Sequence, residues 1–216
     1  MNQEACYTSI NGVVSQYIEL ENNLNKRNIE FQFCESRQAV IETIDLLTKD
    51  YQTIGIGNSQ TLKSMNISGH LVKNEKTVYD KTYAREKTEI RKLKKLALTS
   101  ECYITSTNAI SLSGEIVNVD HSGNRVAAMT YGPDKVIIVA TTNKIVENEK
   151  AAVARALTVA TPLNARRAKI ESPCSKGNPC TECSQDVRVC NYISIIRGQH
   201  EKNRMIVLLI DEALGF

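Results

Sequence analysis

Four cysteines, Cys174, Cys180, Cys183 and Cys190, fall in the stretch "SPCSKGNPCTECSQDVRVC" with the spacing C-x5-C-x2-C-x6-C. Four soft thiolates in one short loop suit tetrahedral zinc or an iron–sulfur cluster. Only Cys180 and Cys183 have the close spacing of a zinc knuckle. The two looser intervals tilt the reading toward a [4Fe–4S] cluster, with zinc kept open. Unligated thiols are the plain alternative, although free thiols have little reason to crowd into a Pro/Gly-containing loop. The chain has seven cysteines, an odd number, and "MNQEACYTSINGVV" lacks the basic start and apolar run of a secretory leader. A cytoplasmic location with reduced thiols is therefore expected, rather than disulfides. Cys6, Cys34 and Cys102 stand in helix- or strand-like contexts and read as small buried apolar residues.

A second group of chemistry-bearing residues is "GIGNSQT": Gly55, Gly57, Asn58, Ser59 and Thr61, where a buried strand meets a helix. Ligands of open α/β sheets bind beyond the carboxyl ends of strands. Glycines there let the backbone approach an anion, and hydroxyls and helix amides donate to it. Neither a P-loop lysine nor the third glycine of a dinucleotide fingerprint is present. Two readings stand level: an anion-binding loop, or a tight turn in which Ser59 caps the next helix.

The third group lies in "TSTNAISLSGEIVNVDHSGNRV". Strand alternation along "GEIVNVD" puts Asn118 and Asp120 on one face, with Arg125 across the turn. Asn108 and the hydroxyls of Ser106, Thr107, Ser111 and Ser113 precede it. A site for a carboxylate- or phosphate-bearing molecule is one reading, with Arg125 as a bidentate fork and Glu115 or Asp120 as general base. His121 is a third, weaker base. The alternative is a polar hairpin with a surface Asp–Arg pair, which contributes little to stability.

The elements that must position these groups are read from periodicity. Helical spacing predicts helices at about 8–28, after Ser36, at "LKSMNI", at about 80–98 and at "NEKAAVARALTVA", with Pro162 starting a further turn or helix. "IEFQFC", "YQTIGIG", "CYITST", "GEIVNVD", "RVAAMTYG", "KVIIVAT", "NYISIIR" and "RMIVLLIDE" read as strands, with "HSGN" joining two of them in a hairpin. Strands alternating with helices imply a mainly parallel sheet flanked by helices. The hairpin and the two late strands are expected as an antiparallel addition. The chain divides into an α/β core (1–170), a four-cysteine segment (171–192) and C-terminal strands of the core (193–216).

Length and composition set limits on this reading. The chain has 216 residues, 42% hydrophobic and 24% charged, as expected of one globular domain. Its 27 basic and 24 acidic residues give a net charge of +3, too weak to imply nucleic acid without clustering. The one basic stretch, "AREKTEIRKLKKLAL", alternates with acids and apolar residues and reads as the wet face of a helix. The apolar runs "VIIVA" and "MIVLLI" have strand length, far short of a membrane span. Neither nucleic acid nor a membrane is expected as a partner.

Taken together, "IGIGNSQT", "YITSTNAISLSGEIVNVDHSGNRVAAMTYGPDKVIIV", the cysteine segment and "IVLLIDEALGF" resemble the LUD-domain family of lactate-utilization proteins, over nearly the whole chain. The resemblance implies a fold similar to ribose-5-phosphate isomerase and the CoA transferases. It implies that Gly55, Gly57, Ser59 and Thr61 match a phosphate-holding loop. It also implies a role in lactate or hydroxy-acid metabolism beside oxidoreductase partner subunits, with a small anionic metabolite as ligand. Neither the acidic and Lys-Gly-rich motifs of the isomerase nor the Glu-Asn-Gly segment of CoA transferases is matched. A non-catalytic accessory subunit with structural zinc, or an isomerase or acyl(CoA) transferase inherited from the fold, are the alternatives.

Overall fold

The structure, a computed structural model, describes residues 13–216, with side chains described from Tyr17 onward. The first half alternates helix and strand: α1 (Val13–Asn25), β1 (Ile29–Cys34), α2 (Arg37–Thr48), β2 (Thr53–Ile56), α3 (Gln60–Ser64), α4 (Ile67–Lys73), β3 (Thr77–Tyr79), α5 (Lys87–Leu98) and β4 (Cys102–Thr105). Then come β5 (Ala109–Ser111), β6 (Ile116–Asp120), α6 (Asn124–Thr130), β7 (Lys135–Thr141) and β8 (Ile145–Val146). The chain continues with α7 (Glu149–Arg155), α8 (Thr161–Arg167), β9 (Tyr192–Ile196) and β10 (Met205–Ile210). The start of the first expected helix, with Ile10, and Cys6 lie outside the described residues.

The main sheet has six parallel strands in the order β1-β10-β7-β4-β2-β3. Its centre is set by two uninterrupted apolar runs, "KVIIVAT" and "MIVLLI", both buried along their whole length. A strand apolar on both faces is at home only between two covering layers. Along β10, Met205, Val207 and Leu209 pack with Leu20 and Leu24 of α1 and Ala128 and Met129 of α6. Ile206, Leu208 and Ile210 face the other way, toward Val40 and Ile44 of α2 and Leu62, Ile67 and Leu71 of α3 and α4. Each fully buried Leu, Ile or Val contributes roughly 1.5–3 kcal/mol by transfer out of water. β10 therefore sits inside the parallel sheet, between β1 and β7, and the expectation that it joins an antiparallel addition is corrected.

The second sheet, β8-β5-β6-β9, is mixed. β6 pairs antiparallel with both β5 and β9. The antiparallel hairpin is thus β5–β6, one element earlier than expected. "RVAAMTYG" is not its second strand: residues 124–130 form α6. Gly123 takes a left-handed φ of +77° that ends the strand direction. Asp120 Oδ2 then accepts the amides of Arg125 (3.0 Å) and Val126 (3.3 Å), supplying the acceptor that a helix start lacks. "VAAM" is too short for its period to separate strand from helix.

Two other expected elements change. The helix expected over 80–98 is a short 3-10 turn, Lys81–Tyr83, followed by α5. Asp80 Oδ1 accepts from Thr82 at 2.8 Å and sets that turn apart. α7 and α8 are joined through a π turn, Ala156–Ala160, just before Pro162, which has no amide to continue regular helical bonding. Among the described residues no helix is long and apolar enough to cross a membrane.

Candidate functional site

The carboxyl ends of β2, β4 and β7 open into a cavity of about 310 Å³. Asn58, Ser59 and Thr61 reach it from the β2–α3 turn, Ser106, Thr107 and Asn108 from the end of β4, and Lys144 from the end of β7. Asp120, His121 and Arg125 form a second wall, and Lys81, Lys94 and Arg167 complete it. Its size is at the lower end of small-molecule sites, and its position is where open α/β sheets bind ligands.

The two readings of "GIGNSQT" both hold in part. Ser59 caps α3, its hydroxyl accepting from Leu62 at 3.3 Å, and also lines the cavity. The glycines serve strand contact rather than anion approach. A Cβ on Gly55 would come within 2.7 Å of Ala97 O and Ser100 Oγ, and one on Gly57 would collide with Thr105 Oγ1. The Gly57 amide is already given to Ile104 O at 2.8 Å. Neither glycine lines the main cavity.

Arg125 is tied inward. Its Nη1 donates to Ser106 O (3.0 Å) and Asn118 Oδ1 (2.8 Å), and its Nη2 to Asn108 Oδ1 (2.9 Å) and Val119 O (2.8 Å). Its Nε is 3.9 Å from Asp120 Oδ2. The fork expected to hold a ligand carboxylate is thus spent on protein acceptors. It fixes the 106–108 loop to β6 and leaves its charge near the cavity. Asp120 points together with Asn118, as alternation predicts, but three amides, those of Ser122, Arg125 and Val126, occupy its carboxylate. Asn118 is fully buried behind the wall.

Glu115 is elsewhere. It does not line the cavity; its carboxylate accepts from Arg27 (2.5 Å), Ser113 (2.5 Å) and Ser111 within the β5–β6 turn. Burial works to raise its pKa, but the Ser111 and Ser113 hydrogen bonds and the Arg27 charge outweigh it and leave the carboxyl below its ordinary value. A general base for the cavity cannot come from this position, because the side chain is locked in a separate cluster.

Sequence reasoning missed the two lysines that matter most. Lys144 is 2% exposed, its Nζ donating to Ser106 Oγ (2.8 Å) and Thr61 Oγ1 (3.0 Å). Desolvation, reinforced by Arg155 and Arg125, brings its pKa down to about 7. The Lys81 amine makes no hydrogen bond or ion pair among the described residues, and desolvation followed by repulsion from Lys94 brings it down to about 8. Burial also lowers Arg167. Position was the available signal for Lys144, a lysine just past a long, fully buried strand. Lys81 was hidden in an expected long helix.

The LUD-domain sequence model matches residues 17–210. The chain belongs to the LUD-domain family. This is a family of lactate-utilization-related proteins. The fold of this LUD domain is also similar to the crystal structure of a duf162 family protein from Deinococcus radiodurans, at 12% identity and a TM-score of 0.53. That similarity covers 91% of this chain and 96% of the other. No curated protein matches the chain.

The four cysteines of this LUD domain line one smaller cavity of about 290 Å³, with Glu182, Arg188, Ser172 and Leu157. Among the described residues no three Cys, His, Asp or Glu side chains are arranged to hold a single metal ion. The thiols are nevertheless neighbours: Cys183 is pushed up first by desolvation and then by Cys174, Cys190 and Cys180. Four soft donors around one cavity fit a thiolate-ligated centre by donor chemistry, without closing on a single-ion geometry. Thr161 and Val189 line this cavity and the main one alike. The cysteine loop, remote in sequence, is thus a wall away from the candidate site. Cys34 and Cys102 are buried, and burial pushes their thiols up to about 11 and about 12.

Proposed function

We propose that this LUD domain binds a small carboxylate- or phosphate-bearing metabolite of lactate or hydroxy-acid metabolism in the main cavity. One observation carries the reading. Lys81, Lys94, Arg125, Lys144 and Arg167 line it against a single carboxylate side chain, Asp120. Among the described residues, Lys81, Lys94, Lys144 and Arg167 make no ion pair. Lys144 is buried and Lys81 and Lys94 half-buried; withdrawing cations from water without counter-ions costs free energy, and an anionic ligand offsets that cost. Asn58 Oδ1, buried without a hydrogen-bond partner on the same wall, is an acceptor suited to a ligand hydroxyl. Lys81 and Arg167 make the direct contact to the anion, while Arg125 holds the loop that frames it. Titration calorimetry with L-lactate, pyruvate and sugar phosphates tests this. Saturable heat with one of them, weakened about tenfold in Lys81→Gln, is expected; no heat with any of them overturns it.

A second reading concerns Cys174, Cys180, Cys183 and Cys190, supported by the shared cavity they surround. These residues would hold a [4Fe–4S] cluster or zinc. The former supplies one-electron transfer and suits an oxidoreductase partner; the latter is a structural clip. Anaerobic purification with metal analysis and a visible spectrum tests it. A colourless, metal-free protein with four titratable thiols overturns it.

A further inference from the structure

Lys144 offers more than charge. Thr61 Oγ1 commits its own hydrogen to Leu214 O at 3.1 Å, so toward Lys144 Nζ it acts as acceptor. Ser106 Oγ, at 2.8 Å, is the second hydroxyl partner. Two hydroxyl acceptors match the two N–H groups of a neutral amine and leave its lone pair free. An ammonium in the same place would have a third N–H without a protein acceptor, in a site where no carboxylate lies within ion-pair distance among the described residues. The residue stands on the floor of the cavity at the carboxyl end of β7, the central strand.

We propose that Lys144 is the nucleophile of this cavity, its neutral amine condensing with the carbonyl of a small oxo acid whose carboxylate rests against Lys81 and Arg167. The inference rests on the anion-site reading and adds to it a reaction and a substrate class. The nitrogen lone pair forms the C–N bond while the C–O π pair moves onto oxygen. The resulting carbinolamine loses water: the oxygen leaves with both amine hydrogens, and the C=N bond forms. No electrons are exchanged with any co-reactant, and hydrolysis reverses the step. Ser106, hydrogen-bonded to Nζ, is placed to pass a proton to the departing oxygen. The depressed pKa is in keeping with this role, since desolvated lysines beside other cations are the ones that form imines near neutral pH.

The test incubates the full chain with pyruvate and sodium cyanoborohydride, followed by intact mass and peptide mapping. One reduced adduct per chain is expected, located on Lys144. It is expected to be absent with L-lactate, which has no carbonyl, and absent in Lys144→Arg. In Lys81→Gln the adduct still forms on Lys144, but the pyruvate concentration for half-labelling rises about tenfold. Pyruvate that binds by calorimetry yet leaves no adduct on Lys144 overturns the nucleophile while sparing the anion site. Labelling spread evenly over exposed lysines such as Lys92 overturns it as well. Absence of pyruvate binding overturns the nucleophile, and the anion site falls with it only if L-lactate and sugar phosphates give no heat either.

Discussion

Lys144 Nζ lies 2.8 Å from Ser106 Oγ, joining the end of β7 to the end of β4 beneath the cavity. The amine has a pKa of about 7 in the folded protein, with Arg155 and Arg125 adding to desolvation, against about 10.4 in an unfolded chain. Between those values the unfolded state binds the extra proton, so stability rises as pH rises from about 7 to 10. Lys144→Met removes that gain. Urea unfolding at pH 7 and pH 9.5 should show the wild type gaining stability relative to Lys144→Met at the higher pH; parallel behaviour of the two proteins refutes the assignment.

Arg125 is predicted to be a positioning residue whose loss is felt first in stability. Arg125→Ala removes the guanidinium donors to Val119 O and Asn118 Oδ1, and one of two donors to each of Ser106 O and Asn108 Oδ1. A loss of about 2–4 kcal/mol is expected from denaturant unfolding. Arg125→Lys recovers little of it, since an ammonium cannot serve four acceptors held in a planar fork.

Glu115 and Arg27 form a cluster separate from the cavity. Glu115→Ala is expected to destabilise by about 2–3 kcal/mol and to leave ligand affinity unchanged by calorimetry. Because the folded carboxyl is held below its unfolded pKa, its contribution is present above about pH 4.3 and fades as pH falls through the folded value. A wild-type-minus-variant stability difference that stays constant on acidification contradicts this.

Gly57→Ala forces a Cβ into Thr105 Oγ1 across the β2–β4 pair. A loss of about 1–3 kcal/mol is expected. In a double-mutant cycle Thr105→Ala should recover part of it, because the colliding hydroxyl is removed. Additive losses place the strain elsewhere.

For the cysteine loop, Cys183→Ser is expected to abolish bound iron or zinc in anaerobic preparations. Cys34→Ser, buried in the core, should leave metal content unchanged while lowering stability. Equal metal content in wild type and Cys183→Ser contradicts a centre at these residues.

The sequence by itself determined the layered α/β architecture. Continuous apolar runs such as "KVIIVAT" and "MIVLLI" can be stable only as strands covered on both faces. It also located the β2–α3 turn, where Ser59 is both a cap and a cavity residue, and the four-cysteine segment. Three things were decided only by tertiary structure. "VAAM" became helical because Asp120 receives the α6 amides and Ala128 and Met129 fill a core position, neither of which is visible in a short ambiguous period. The proximity of the cysteine cavity to the main cavity came from packing around Thr161 and Val189, residues whose types carry no chemical signal. Finally, Arg125, expected to hold a ligand, is spent on protein acceptors, while Lys144, for which the sequence suggested no part, lines the cavity. A residue type announces what it could bind, but burial and the acceptors already spent on it fix what it has left to offer.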